Sequence, residues 1–172
     1  MNATSARVLI LSDTHVRDAA RLPAPLLLLA ERADHIIHAG DLIDMEVVRV
    51  LQQFAEVTAV HGNVDGMDVV HQLPEESVVE VAGLRIGVRH IAGARSGRHA
   101  RLAAMLPDCD IRVYGHTHEP DITQLDDGSW VLNPGSPTQR RSAPHHTVIW
   151  LDIQHSVVRP ELIRIDEMSS GA

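Results

Sequence analysis

Seven side chains able to bind a metal ion fall in five short blocks of the chain. They are Asp13 and His15 in Ser12-Asp13-Thr14-His15, Asp41 after Gly40, Asn63 in Gly62-Asn63-Val64-Asp65, His90, and His116 and His118 in Gly115-His116-Thr117-His118. Carboxylates, one amide and neutral imidazoles supply oxygen and nitrogen donors suited to two divalent cations that share a bridging ligand. Such a pair of cations activates water and clamps a phosphoryl group during in-line displacement. Each block alone has an ordinary explanation. Asp41 suits a helix N-cap, Asn63 a tight turn, and His90 a hydrogen-bonded strand end. Asp44 fits the capping role better than Asp41, which leaves Asp41 free to bridge. Occurring together and in order, the blocks outweigh the separate readings.

The elements that must position them can be read from the periodicity. Asp13 and His15, like His116 and His118, are two residues apart, and at the end of an extended strand such residues point to one side. Gly115 leaves the chain free to turn. Strands at 8–11, 35–38 and 56–61 alternate with helices at 25–32 and 44–54, which implies parallel pairing through right-handed crossovers. Open sheets of this kind gather their sites at the carboxyl ends of strands. The pattern then changes. Strands at 77–81 and 84–90 join at Ala82-Gly83 as an antiparallel pair. A helix at 97–106 stops at Pro107, and a strand at 111–114 follows. Hairpins are expected over 122–132, turning at Asp126-Asp127-Gly128, and over 147–165. Many strands and few helices predict two stacked sheets flanked by helices, in one domain of 172 residues with a frayed end at 168–172.

Composition narrows the partners. At 44% hydrophobic residues, the chain can bury a core. Its first residues lack the features of a secretory signal and no apolar run approaches the roughly 20 residues that span a bilayer, so a cytoplasmic location and no membrane association are expected. Cys109 is alone, which leaves neither an intramolecular disulfide nor a thiolate metal cluster. The net charge is -8 and all 15 basic residues are arginines. Extended nucleic-acid binding is therefore not expected. A charged side chain that holds a phosphate must here be Arg or protonated His. Arg95, Arg98 and His99, in and after Gly93-Ala94-Arg95-Ser96-Gly97, are candidates for contacting a second phosphate or a sugar of a substrate. A solvated, flexible loop and helix start is the plainer reading of the same stretch.

The blocks, together with Asn133-Pro134-Gly135-Ser136, resemble the calcineurin-like metallophosphoesterases, in particular their small single-domain bacterial and archaeal phosphodiesterases. The resemblance spans nearly the whole chain, with Asp13-Thr14-His15, Gly40-Asp41-Leu42-Ile43-Asp44, Gly62-Asn63-Val64-Asp65, His90 and Gly115-His116-Thr117-His118 in order. It implies an α/β fold, a four-layer α/β/β/α sandwich of two mixed β-sheets flanked by helices. It also implies two divalent metal ions, manganese first, with iron, zinc or nickel as alternatives. Asp13, His15 and His118 would hold one ion, Asn63, His90 and His116 the other, and Asp41 would bridge both as the catalytic carboxylate. Two positions depart from the family pattern. Ile91 and Ala92 stand between His90 and Gly93, where the family has glycine directly after the histidine. Val64 stands where many relatives carry a histidine that protonates the leaving group, although the small-phosphodiesterase branch lacks it too. His61, His71 and His99 are available by type for that role, and His38 is a candidate for orienting Asp41.

The expected reaction is hydrolysis of a small phosphoester, in the first place a phosphodiester. Water bridging two ions roughly 3.5–4 Å apart loses its proton near neutral pH, and the hydroxide attacks in line with the leaving alcohol. The rival readings are a non-catalytic protein-interaction scaffold of the same fold, like the retromer subunit, and a nuclease of the same superfamily. The intact donor set argues against the first, and a short acidic chain against the second. Exposed strands of the late hairpins make a homodimer one expectation for assembly.

Overall fold

The computed structural model describes residues 4–168. The central strand β1 (Ser5–Leu11) is buried on both faces. Val8 and Ile10 point into one core, and Leu9 and Leu11 into another. That is why it reads as an unbroken apolar run with no alternation. β2 (His35–His38) and β3 (Glu56–Ala59) follow in parallel beside it, reached through α1 (Ala24–Ala30) and α2 (Glu46–Leu51). Asp44 accepts the N–H of Glu46 at 2.9 Å, so it does the capping work at the start of α2. A third helix, α3 (Met67–Gln72), was not expected. It has six residues and buries only Val69, too little for a periodic signal.

The second half builds another sheet. β4 (Glu76–Val81) and β5 (Leu84–Arg89) form the antiparallel pair, turning at Ala82 and Gly83 with φ of 51° and 80°. α4 (Arg98–Met105) leads to β6 (Ile111–Val113), and β7 (Asp121–Gln124) with β8 (Trp130–Asn133) makes the next hairpin. β5, β6 and β8 run parallel, in the order β4-β5-β6-β8-β7. The chain then returns to the first sheet. β9 (Thr147–Gln154) pairs antiparallel with β1, and β10 (Val157–Arg164) closes the edge, giving β10-β9-β1-β2-β3.

Three apolar clusters bind these layers. Val8, Ile10, Ile37, Ile149 and Leu151 meet Ile86, Val88, Ile111, Val113 and Leu132 between the sheets. Leu26, Leu29, Val47 and Leu51 cover the outer face of the first sheet, and Leu102 and Leu106 cover the second beside Tyr114 and Val131. The result is the expected α/β/β/α order of two mixed sheets. Met168, expected to be frayed, packs against the first cluster; residues 169–172 lie outside the described residues. β10 has one free edge and carries Pro160, which cannot donate a main-chain hydrogen bond, so this edge is poorly suited to pairing with another chain.

Candidate metal centre

The five blocks leave β1, β2, β3, β5 and β6 at their carboxyl ends, the side on which a parallel sheet collects its loops. Their convergence does not come from extended strand ends, as the i, i+2 spacing suggested. Asp13, His15, Asp41, His116 and His118 all have left-handed backbone, with φ of 57°, 46°, 58°, 69° and 58°. For residues with a Cβ this costs on the order of 1–3 kcal/mol each, so the surroundings must hold them there. They do. The N–H of Asp13 donates to Gly40 O at 2.9 Å and that of His15 to Asp41 O at 3.0 Å. Ser136 Oγ donates to Asp13 O at 2.7 Å.

Six of the donors fall into two groups. Ligand atoms of Asp13, His15 and His118 lie within 4.8 Å of one another, and so do those of Asp41, His90 and His116. Asn63 joins the second group, its Oδ1 2.8 Å from His116 Nδ1. Asp41 Oδ2 faces both groups, 3.2 Å from His90 Nε2 and 3.6 Å from His15 Nε2. Asp13 Oδ1 is 3.2 Å from His118 Nε2 and 3.7 Å from His15 Nε2. Burial pushes both carboxyls up, but the surrounding histidines, His118 and His15 for Asp13 and His90 for Asp41, outweigh it and hold both below the usual range.

The chemistry of these atoms fits cations. His90 Nδ1 faces Ala39 O at 2.6 Å, and His118 Nδ1 faces Gln139 O. A carbonyl can only accept, so each Nδ1 carries a proton, and in the neutral ring each Nε2 would offer its lone pair to a cation. His90 Nε2 and Asp13 Oδ1 are buried with no hydrogen-bond partner. With the His90 ring neutral, two adjacent buried acceptors without a donor are costly unless a cation takes their lone pairs.

Residues with no ligand role fix this arrangement. The Asp65 carboxylate accepts three main-chain N–H groups, from Asp41 at 3.0 Å, Ile43 at 2.7 Å and Gly62 at 2.7 Å, tying the Asp41 loop to the Asn63 loop. Asn133 Nδ2 donates to Gly115 O and to Thr117 Oγ1, both at 3.1 Å, which explains the Asn-Pro-Gly-Ser segment at the end of β8. Gly115 is needed for space more than for turning. A Cβ there would overlap Ser12 Oγ and stand 2.9 Å from Asp13 Oδ2. A Cβ at Gly40 would stand 2.7 Å from His90 Nδ1.

Other expected roles change. His38 does not orient the Asp41 carboxylate. It is fully buried, accepts the N–H of Gly40 at 3.2 Å, and its Nε2 lies 3.1 Å from Thr14 Oγ1, so it braces the two loop backbones. Val64 is partly exposed, and its N–H donates to Asp41 Oδ1 at 3.1 Å. Arg95, Arg98 and His99 lie outside the metal groups and share a separate cavity with Tyr114 and Asp121. The 93–97 stretch is not a loose loop, because Arg101 reaches across it to the carbonyls of Ala92, Ala94 and Ser96.

Residues 7–156 match the model of the calcineurin-like phosphoesterase superfamily domain. A probable metallophosphoesterase of Methanocaldococcus jannaschii is 35% identical over 92% of this chain and 81% of its own length. A phosphodiesterase of the same archaeon is 28% identical over 73% of this chain and 81% of its own. Among solved structures, Vps29 of Entamoeba histolytica complexed with zinc is 26% identical, with a TM-score of 0.72 over 92% of this chain and 99% of that one. The chain belongs to the calcineurin-like phosphoesterase superfamily.

Proposed function

We propose that the chain is a single-domain, cytoplasmic phosphodiesterase that hydrolyses a small phosphoester at a dinuclear metal centre, manganese being the first candidate metal. The observation that carries this reading is the pair of donor groups sharing Asp41, with Asp13 Oδ1 and His90 Nε2 buried and unpaired between them. Asp13, His15 and His118 would hold one ion, and Asn63, His90 and His116 the other, with Asp41 available to both. When bound, two divalent ions supply an activated water and offset the charge of the phosphoryl group. The protein fixes the donors before substrate arrives, through left-handed backbone, close-packed glycines and the Asp65 carboxylate. Val64 cannot pass a proton to the leaving alcohol, so esters of acidic alcohols should react fastest.

Elemental analysis and a substrate panel test the proposal. Protein purified without added metal should carry about two divalent ions per chain when complete, and manganese should support faster hydrolysis of an aryl phosphodiester than of the matching monoester. Metal binding without hydrolysis of any ester would overturn the enzymatic reading. A second reading, a protein-interaction scaffold, is favoured by the likeness to Vps29 and by the exposed apolar side chains of Val64 and Ile91 beside Asn63 and His90. The complete donor set favours the enzyme. If the chain forms a homodimer, Pro160 directs the contact away from the free edge of β10.

A further inference from the structure

We propose that the cavity lined by Arg95, Arg98, His99, Tyr114 and Glu119 binds a second phosphate carried by the leaving-alcohol side of the substrate. This deepens the phosphodiesterase reading and rests on it.

The cavity measures about 310 Å3, and its walls are chain neighbours of the metal donors rather than the donors themselves. Tyr114 stands one residue before Gly115-His116, and Glu119 follows His118. Gly93, whose carbonyl accepts from Arg98 Nε at 3.3 Å, lies three residues beyond His90. The segment that carries Arg95 has a fixed path. Arg101 donates to Ala92 O at 2.9 Å, Ala94 O at 3.1 Å and Ser96 O at 3.1 Å, so three carbonyls converge on one guanidinium. Gly93 and Gly97 supply the positive φ that this path requires, 76° and 67°.

The cations presented there are not spent on the protein's own acids. Arg49, Arg89 and Arg164 pair with glutamates, and Arg7 with Asp34. Among the described residues, Arg95 and Arg98 pair with none. Arg98 lies over the Tyr114 ring, 5.4 Å from its centroid, and its Nη1 donates to Tyr114 OH at 3.4 Å, leaving further N–H groups for a ligand. Asp121, one of the two acids in the same wall, is already engaged. It accepts from Tyr114 OH at 2.9 Å and Thr123 Oγ1 at 2.6 Å, and its Oδ2 lies 2.8 Å from His99 Nε2. Burial, followed by Asp121, pushes the Tyr114 phenol up to about 12, so it stays neutral beside an anion. In a chain without lysine, two guanidinium groups that line one cavity without an acid partner suit a second phosphate.

The test compares two methyl aryl phosphodiesters that differ only in a phosphonomethyl group on the aryl leaving group, using the manganese-loaded full chain. The phosphonate-bearing ester should have the lower KM, and Arg95→Gln or Arg98→Gln should reduce that KM preference by roughly tenfold. Arg159→Gln, the same charge change on β10, should leave the preference as it is. A wild-type preference near unity, or one unmoved by both cavity variants, would overturn the subsite. Calorimetric titration with 4-hydroxybenzylphosphonate, the leaving group alone, reads the same cavity without turnover. Equal binding by wild type and both variants counts against the subsite, and weakened binding in the variants supports it. Failure to hydrolyse either ester would instead count against the phosphodiesterase reading.

Discussion

The α-carbon of Gly62 lies against the carboxylate of Asp41. A methyl group built on it would overlap Oδ1 and stand 2.5 Å from the backbone nitrogen of Asp41. Neither group can retreat easily, since the same nitrogen donates to Asp65 and the same oxygen accepts from Val64. Gly62→Ala should therefore cost about 1–3 kcal/mol of stability by overpacking and displace the shared ligand. Urea denaturation and metal content measure the two effects. A variant with wild-type values for both would show that the loops can part without disturbing Asp41.

Asp41→Asn tests the ligand itself with little change in shape. It removes the negative charge that faces both donor groups, so metal content should fall and diester hydrolysis should drop by more than about a hundredfold. Near-normal turnover in this variant would contradict the assignment of Asp41 as the shared ligand.

Asp65 touches no metal site, yet three main-chain N–H groups end on its carboxylate. Asp65→Asn leaves at least one of them without an acceptor, a loss of about 1–3 kcal/mol. Because those N–H groups belong to two ligand-bearing loops, metal affinity should fall about 10–100-fold. Competition with a coloured chelator measures it, and unchanged affinity would mean that the loops keep their geometry alone.

Burial depresses the His38 imidazole to about 3, while in the unfolded chain it titrates near 6.5. Below about 6.5 the unfolded chain takes up a proton that the folded chain does not. His38 therefore contributes its full stability above about 6.5 and loses it progressively as pH falls toward about 3. His38→Asn removes this dependence, so the stability gap between wild type and variant should narrow from pH 7 to pH 5. Urea unfolding with a chelator present, which excludes metal release, measures the gap; a gap that is constant across this range would contradict a neutral buried His38.

The candidate donors could be proposed from the sequence because Asp, Asn and His at strand ends are few and their types limit what they bind. The strands of both sheets were legible for a similar reason, since apolar runs between turn residues mark them. Backbone conformation was not. Asp and His visit a left-handed φ more often than most residues with a Cβ, but that preference is weak, and the spacing of Asp13, His15, His116 and His118 pointed instead to an extended strand end, which the backbone does not have. Gly115 read as a turn residue, whereas neither it nor Gly62 is left-handed and both make room for an oxygen of a neighbouring loop. Asp65 and Asn133 stood inside recognisable motifs, but their work is done on backbone atoms far away in sequence, which no local pattern reports. α3 is too short to show a period.

The left-handed backbone at five of the seven donors sets stability against function. Glycine at any of these positions would relieve the local conformation, and asparagine would tolerate it better than histidine does. Selection for a stable fold alone would therefore pull these residues away from Asp and His. Asp and His at these strained positions are what a centre kept for its chemistry would show, and a copy of this chain released from that duty should drift toward a firmer fold by losing these residues first.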